Sequence, residues 1–151
     1  MQTKSEKILS FLCMGAFVIF FAVSVSFCFS KPQKSRFLFY FPSYDSKNLC
    51  TEVRFLPNKP VQGVEKQFVE ELILGPMTNR YIRVFPRDTE LSYCFLKDKV
   101  LYVGLSDAVL SGVDGLTIKE SIDIFRVNIV KNFTFINKID VSIDGKSVFE
   151  Q

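Results

Sequence analysis

Residues 61–76 read VQGVEKQFVEELILGP. Val61, Val64, Phe68 and Leu72, joined by Val69 and Ile73, recur at spacings of three and four. Glu65, Lys66, Glu70 and Glu71 fall largely on the other side. That period predicts an amphipathic helix over Val61–Leu74. Gly75 ends it by taking the post-helix turn, and Pro76 cannot continue it. A helix with one apolar face needs a layer to cover, and the flanking segments are read for that layer.

Upstream, Phe37–Phe41 is the apolar run FLFYF, too short for a helix and rich in aromatics, which reads as a buried strand. Pro42 to Ser46 supplies turn residues. Leu49–Leu56 alternates in part, with Thr51, Val53 and Phe55 set against Cys50, Glu52 and Arg54, and reads as a second strand ended by Pro57-Asn58-Lys59-Pro60. Downstream, Thr78–Asp88 is a loop carrying three arginines. Glu90–Lys97 and Lys99–Leu105 form a hairpin around Lys97-Asp98-Lys99, followed by a Ser106–Gly115 loop with one helical turn. Leu116–Phe133 returns to helical period through Ile118, Ile122, Phe125, Ile129 and Phe133, with Thr117 or Gly115 at its start. Lys138–Asp144 alternates cleanly, and Asp144-Gly145-Lys146 is a tight turn. The order is β-β-α-β-β-α-β, an α+β fold of two layers: a mixed sheet of about five strands under two helices.

The chain opens differently. Ile8–Ser30 reads ILSFLCMGAFVIFFAVSVSFCFS and holds no charge. As a helix it would be about 34 Å long, against a hydrocarbon core of about 30 Å. A membrane-targeting segment is expected, with Lys4 and Lys7 as its basic flank. Its length favours a retained single-pass anchor over a cleaved signal peptide, although Ala22-Val23-Ser24 and Cys28-Phe29-Ser30 offer small residues for cleavage. The expected location is the cell membrane, with the domain outside the cytoplasm; the alternative is a secreted or periplasmic protein. Lys31–Arg36 would be a short tether.

The remaining length is one ordinary domain, with 17 phenylalanines in the chain to fill a core. The net charge of +3 carries no nucleic-acid signature. Histidine is absent, which removes the commonest general base and transition-metal ligand. Cys50 and Cys94 read as separate buried thiols rather than a bridge. Asp140 and Asp144 would lie about 13 Å apart along a strand, too far to act as a carboxylate pair. Ser106, Ser111 and Cys94 have no evident activating base. No catalytic residue, cofactor or metal site is expected. Arg80, Arg83 and Arg87 are the candidate ligand or partner contacts, suited to carboxylates, lipid headgroups or an anionic polymer.

The order of elements also carries short motifs. FYF (Phe39–Phe41) opens the first strand and ELILGP (Glu71–Pro76) closes the first helix; FPRDTEL (Phe85–Leu91), VLYVGLSDAV (Val100–Val109) and VSIDGK (Val141–Lys146) follow. In these, residues 37–148 resemble the GerMN domain of bacterial spore-germination and sporulation proteins and of some envelope lipoproteins. The resemblance makes Gly75, Pro76, Asp144 and Gly145 structural motif positions. It implies a non-catalytic module of the cell envelope, held at the membrane and binding an envelope protein or wall component. The alternatives are an envelope hydrolase acting on a wall polymer and a structural subunit of a membrane complex.

Overall fold

The computed structural model describes the backbone of residues 4–29, 33–46 and 48–148, and the side chains of 10–26, 33–46 and 48–148. The chain divides into two compact units, Met1–Gln33 and Lys34–Gln151. The first is one helix, α1 (Lys4–Phe29), whose described side chains are all exposed. Among the described residues no helix is long and apolar enough to cross a membrane. The two ends of the Ile8–Ser30 segment lie outside the described side chains. So does the start of the expected tether, whose last residues, Lys34–Arg36, belong to the first strand instead.

The second unit runs β1 (Lys34–Pro42), β2 (Leu49–Pro57), α2 (Val64–Leu74), β3 (Leu91–Lys97), β4 (Val100–Leu105), a 3-10 turn (Asp107–Ser111), α3 (Ile118–Asn132), β5 (Lys138–Ile143) and the two-residue β6 (Lys146–Ser147). The mixed α+β class and the order of elements agree with the sequence reading. The single five-stranded sheet does not. β1 and β2 form an antiparallel pair of their own, and β3-β4-β5-β6 forms a second sheet in which only β4 and β5 run parallel.

Two asparagines of α3 account for the split. Asn128 accepts from the Tyr40 N–H (2.8 Å) and donates to the Tyr40 carbonyl (2.9 Å). One turn later Asn132 does the same for Leu38, at 3.0 and 2.7 Å. The carboxamides thus occupy the edge of β1 as a neighbouring strand would, and satisfy groups that are costly to leave unpaired. Helical spacing of four matches two-residue spacing along the strand, because about 6 Å of helix rise faces about 6.8 Å of strand.

Phe37, Phe39 and Phe41 share the inner face of β1, and Phe37 and Phe39 meet Phe68 of α2, whose ring stacks on Phe39 at 4.4 Å. Phe133 closes this cluster edge-on to Phe68 at 5.2 Å. Ile122, Phe125 and Ile129 of α3 join the same core as Leu101, Val103 and Leu105 of β4 and Val141 and Ile143 of β5. α2 starts three residues later than its apolar period implies. Gly63 sits at φ 91°, outside helical geometry, so Val61 is fully exposed. α3 begins at a full capping box, in which Thr117 and Glu120 bond each other's backbone N–H. Both expected turns have positive φ at their central pairs, Asp98-Lys99 and Asp144-Gly145, the geometry of two-residue hairpin turns.

Candidate functional site

The C-terminal end of α2 is held between two arginines. Arg54, from β2, is buried; it pairs with Glu52 at 2.6 Å and Glu71 at 3.0 Å. It also donates to the Glu71 carbonyl (2.9 Å) and the Gly75 carbonyl (2.6 Å), and its guanidinium lies 4.7 Å from the centre of the Phe39 ring. One side chain therefore joins the strand, the last carbonyls of the helix and the aromatic core. Glu52 spends its other oxygen on the Met77 N–H at 3.0 Å, which ties the chain after Pro76 back to β2. Gly75 has φ 84° and ψ −174°, a region essentially reserved for glycine.

Arg83 also reaches the end of α2. Its guanidinium donates to the Ile73 carbonyl at 3.3 Å and lies so close to Gly75 that an added Cβ would be 2.9 Å from Cζ. Burial, reinforced by the charge of Arg87, lowers its pKa. The three arginines picked out from sequence therefore separate. Arg83 is half-buried against the helix end, while Arg80 and Arg87 are exposed. Asp144 and Gly145, by contrast, lie in the turn after β5, beside a cavity of about 400 Å³ lined also by Asp107, Leu110 and Val148.

The alternation of β2 has an orientation that the sequence does not give away. The parity with the charges, Glu52 and Arg54, points inward with Leu56. The more apolar parity, Thr51, Val53 and Phe55, points to solvent, with Phe55 61 % exposed. Parity alone carries no inward or outward sign, and the signal for Arg54 is its pairing with Glu71 and Gly75, which only the fold brings together. A groove of about 300 Å³ runs beside this strand, lined by Val53, Phe55, Leu56, Arg54, Glu71 and Met77.

The outer face of the second sheet is the other surface of note. Tyr93, Phe95 and Lys97 of β3 stand opposite Gly104, Tyr102 and Val100 of β4, which stand beside Ser142, Asp140 and Lys138 of β5. The Tyr93 ring lies across Gly104, where a Cβ would be 2.4 Å from it, and its hydroxyl reaches Ser142 Oγ at 2.5 Å. Phe95 stacks on Tyr102 at 5.0 Å and leaves half of its surface in solvent. The result is an aromatic floor with Asp140 and Ser147 hydrogen-bonded on one flank and the exposed lysines 97, 99 and 138 at one end.

The Cys94 thiol is not activated as a nucleophile. Burial, and then the neighbouring Glu65 carboxylate, push the Cys94 thiol up to about 12, so it is protonated at neutral pH. Cys50 and Cys94 are both free thiols. Among the described residues no three histidine, cysteine, aspartate or glutamate side chains gather as metal ligands do.

A family profile described as Germane, sporulation and spore germination, matches residues 38–149. Two solved structures share the fold. The tandem GerMN domains of the sporulation protein GerM from Bacillus subtilis match at 15 % identity and a TM-score of 0.57, over 76 % of this chain and 40 % of that one. The first GerMN domain of the same protein matches at 18 % identity and a TM-score of 0.55, over 76 % of this chain and 86 % of that one. The chain thus spans less than half of the tandem structure. No curated protein matches it. The profile covers the whole compact unit that begins at β1, apart from its outermost residues, and its boundaries agree with the resemblance read from residues 37–148. The chain belongs to the Germane family of sporulation and spore-germination domains.

Proposed function

We infer that this protein is a non-catalytic binding module of the cell envelope, held at the membrane by its N-terminal helix, that recognises a wall component or an envelope protein. The observation that carries this reading is the outer face of the second sheet. Tyr93 and Phe95 are 41 % and 50 % exposed on β3, beside Tyr102 and ending in lysines. Exposed aromatics in a contiguous, rigid patch mark recognition surfaces more often than solvent-facing decoration. Flat rings suit the apolar face of a sugar ring. Asp140 and the lysines suit its hydroxyls and acidic groups, so a glycan of the wall fits the whole face. The exposed Arg80 and Arg87 are separate cationic groups suited to an anionic partner. The charge-free run from Ile8 to Ser30 supports the tether, and family membership supports a place in sporulation, germination or envelope assembly.

Cosedimentation of the detergent-solubilised full chain with purified cell walls tests the reading. Wild type is expected to pellet with the walls and to lose affinity as salt rises. Phe95→Ala is expected to weaken pelleting about tenfold, the loss of one stacked ring. Equal pelleting of wild type and Phe95→Ala would sink the sheet-face assignment. Replacing Ile8–Ser30 with an unrelated anchor separates this reading from a structural subunit: a binding module keeps its function.

A further inference from the structure

Each edge of the two sheets, apart from one, is closed or blunted among the described residues. The edge of β1 is taken by Asn128 and Asn132. β3 carries a register shift between Leu91 and Tyr93, and β6 is two residues long. β2 is nine residues long, regular, and pairs only with β1. Proteins ordinarily protect such an edge with a charge, a bulge or a proline, because it invites another strand. β2 has no bulge and no proline before Pro57; its charges, Glu52 and Arg54, point inward and pair with each other and with Glu71, and its outward row of Leu49, Thr51, Val53 and Phe55 is uncharged.

The asparagines also reveal which groups the free edge presents. Leu38 and Tyr40 turn their N–H and C=O toward α3, so they form the non-hydrogen-bonded pairs of the hairpin, opposite Val53 and Thr51. Val53 and Thr51, and with them Phe55, therefore direct their own N–H and C=O away from β1, to the open edge.

We propose that a second copy of this chain occupies that edge, with β2 pairing antiparallel to its own copy about a two-fold axis at Val53. Val53 is the midpoint of the strand. In this register Val53 faces Val53 of the copy, and Thr51 faces Phe55. Thr51, Val53 and Phe55 all meet outward groups of the copy, for about six backbone hydrogen bonds. On the inner side, in the closer non-hydrogen-bonded pairs, Glu52 faces Arg54 of the copy. Sliding by one pair in either direction places Glu52 against Glu52 or Arg54 against Arg54, so charge selects the register. The contact is isologous and closes on itself, which gives a dimer rather than a filament. It leaves the outer face of the second sheet free.

The test exploits the self-opposed residue. Val53 is exposed, so Val53→Lys and Val53→Glu leave the fold intact, yet each sets two like charges about 5.5 Å apart, Cα to Cα, across the axis. Full-length chains carrying two different tags are co-expressed, solubilised in detergent, and assayed by two-step purification and light scattering. Wild type is expected to dimerise, and either variant alone to lose affinity by more than about tenfold. Co-expressed Val53→Lys and Val53→Glu are expected to recover the dimer. A monomeric wild type overturns the proposal. So does a dimer that survives the single substitutions, which would place the contact elsewhere, for instance on α1. Failure of the mixed pair to recover rejects the two-fold at Val53. Wall binding by the sheet face is measured separately, and its outcome is independent of this one.

Discussion

Replacing Arg54 probes the joint on which the family motif rests. Arg54→Met keeps the length of the aliphatic stem but leaves Glu52, 11 % exposed, without its cation and strands the carbonyls of Glu71 and Gly75. Removing one member of a buried pair costs about 3–5 kcal/mol, mostly from the charge left behind. For a domain of this size each kcal/mol is worth about 4 °C in Tm, so a fall of about 12–20 °C is expected. All five tyrosines lie between Tyr40 and Tyr102, so the tyrosine band of the near-ultraviolet circular dichroism, at longer wavelength than the phenylalanine bands to which α1 contributes, reports this unit. Glu52→Gln in the Arg54→Met background removes the orphaned charge. The double variant is therefore expected to be less destabilised than the sum of the singles, by about 1–3 kcal/mol. A cost below about 1 kcal/mol for Arg54→Met, or strict additivity, would refute the claim that this arginine locks β2 to the end of α2.

Three further outcomes follow from the same contacts. Asn128→Ala strips both partners from Tyr40 and should cost about 2 kcal/mol in urea denaturation, more than an exposed Asn137→Ala control. Gly75→Ala should lose about 1–3 kcal/mol, from backbone strain at φ 84° and from the Arg83 guanidinium 2.9 Å away; an Arg83→Ala background should restore only the steric share. The raised Cys94 thiol binds its proton more tightly in the folded chain than in the unfolded one. Its stabilisation is complete below pH 9 and is lost as pH rises toward 12, so wild type should lose more stability over that range than Cys94→Ala.

Much of the fold is legible in the sequence because hydrophobic period is a local property. The two helices, the strand order and both tight turns follow from spacings of two and of three or four, and from residues able to hold positive φ. What is not legible is long-range. Asn128 and Asn132 look like ordinary polar residues on a helix, and only the placement of α3 beside β1 turns them into a strand substitute that divides the expected sheet. Likewise the alternation of β2 is plain, but its inward side is the charged one, because Arg54 finds Glu71 and Gly75 some twenty residues away. For the site, the three arginines stand out as charge in a loop, yet Arg83 is drawn into the helix end. The aromatic floor needs the Tyr93–Gly104 register, which no local pattern contains. Val61 fits the helical stripe and lies outside it because Gly63 interrupts the helix.

The central claim is that the outer face of the second sheet is where this module meets the envelope. A photo-reactive amino acid placed at position 95 in the full chain, in intact cells, tests it most directly, with position 123 on the exposed side of α3 as the control. The account requires light-dependent adducts to wall or envelope material from position 95 and none from position 123. Adducts from position 123 alone, or from neither, would contradict it.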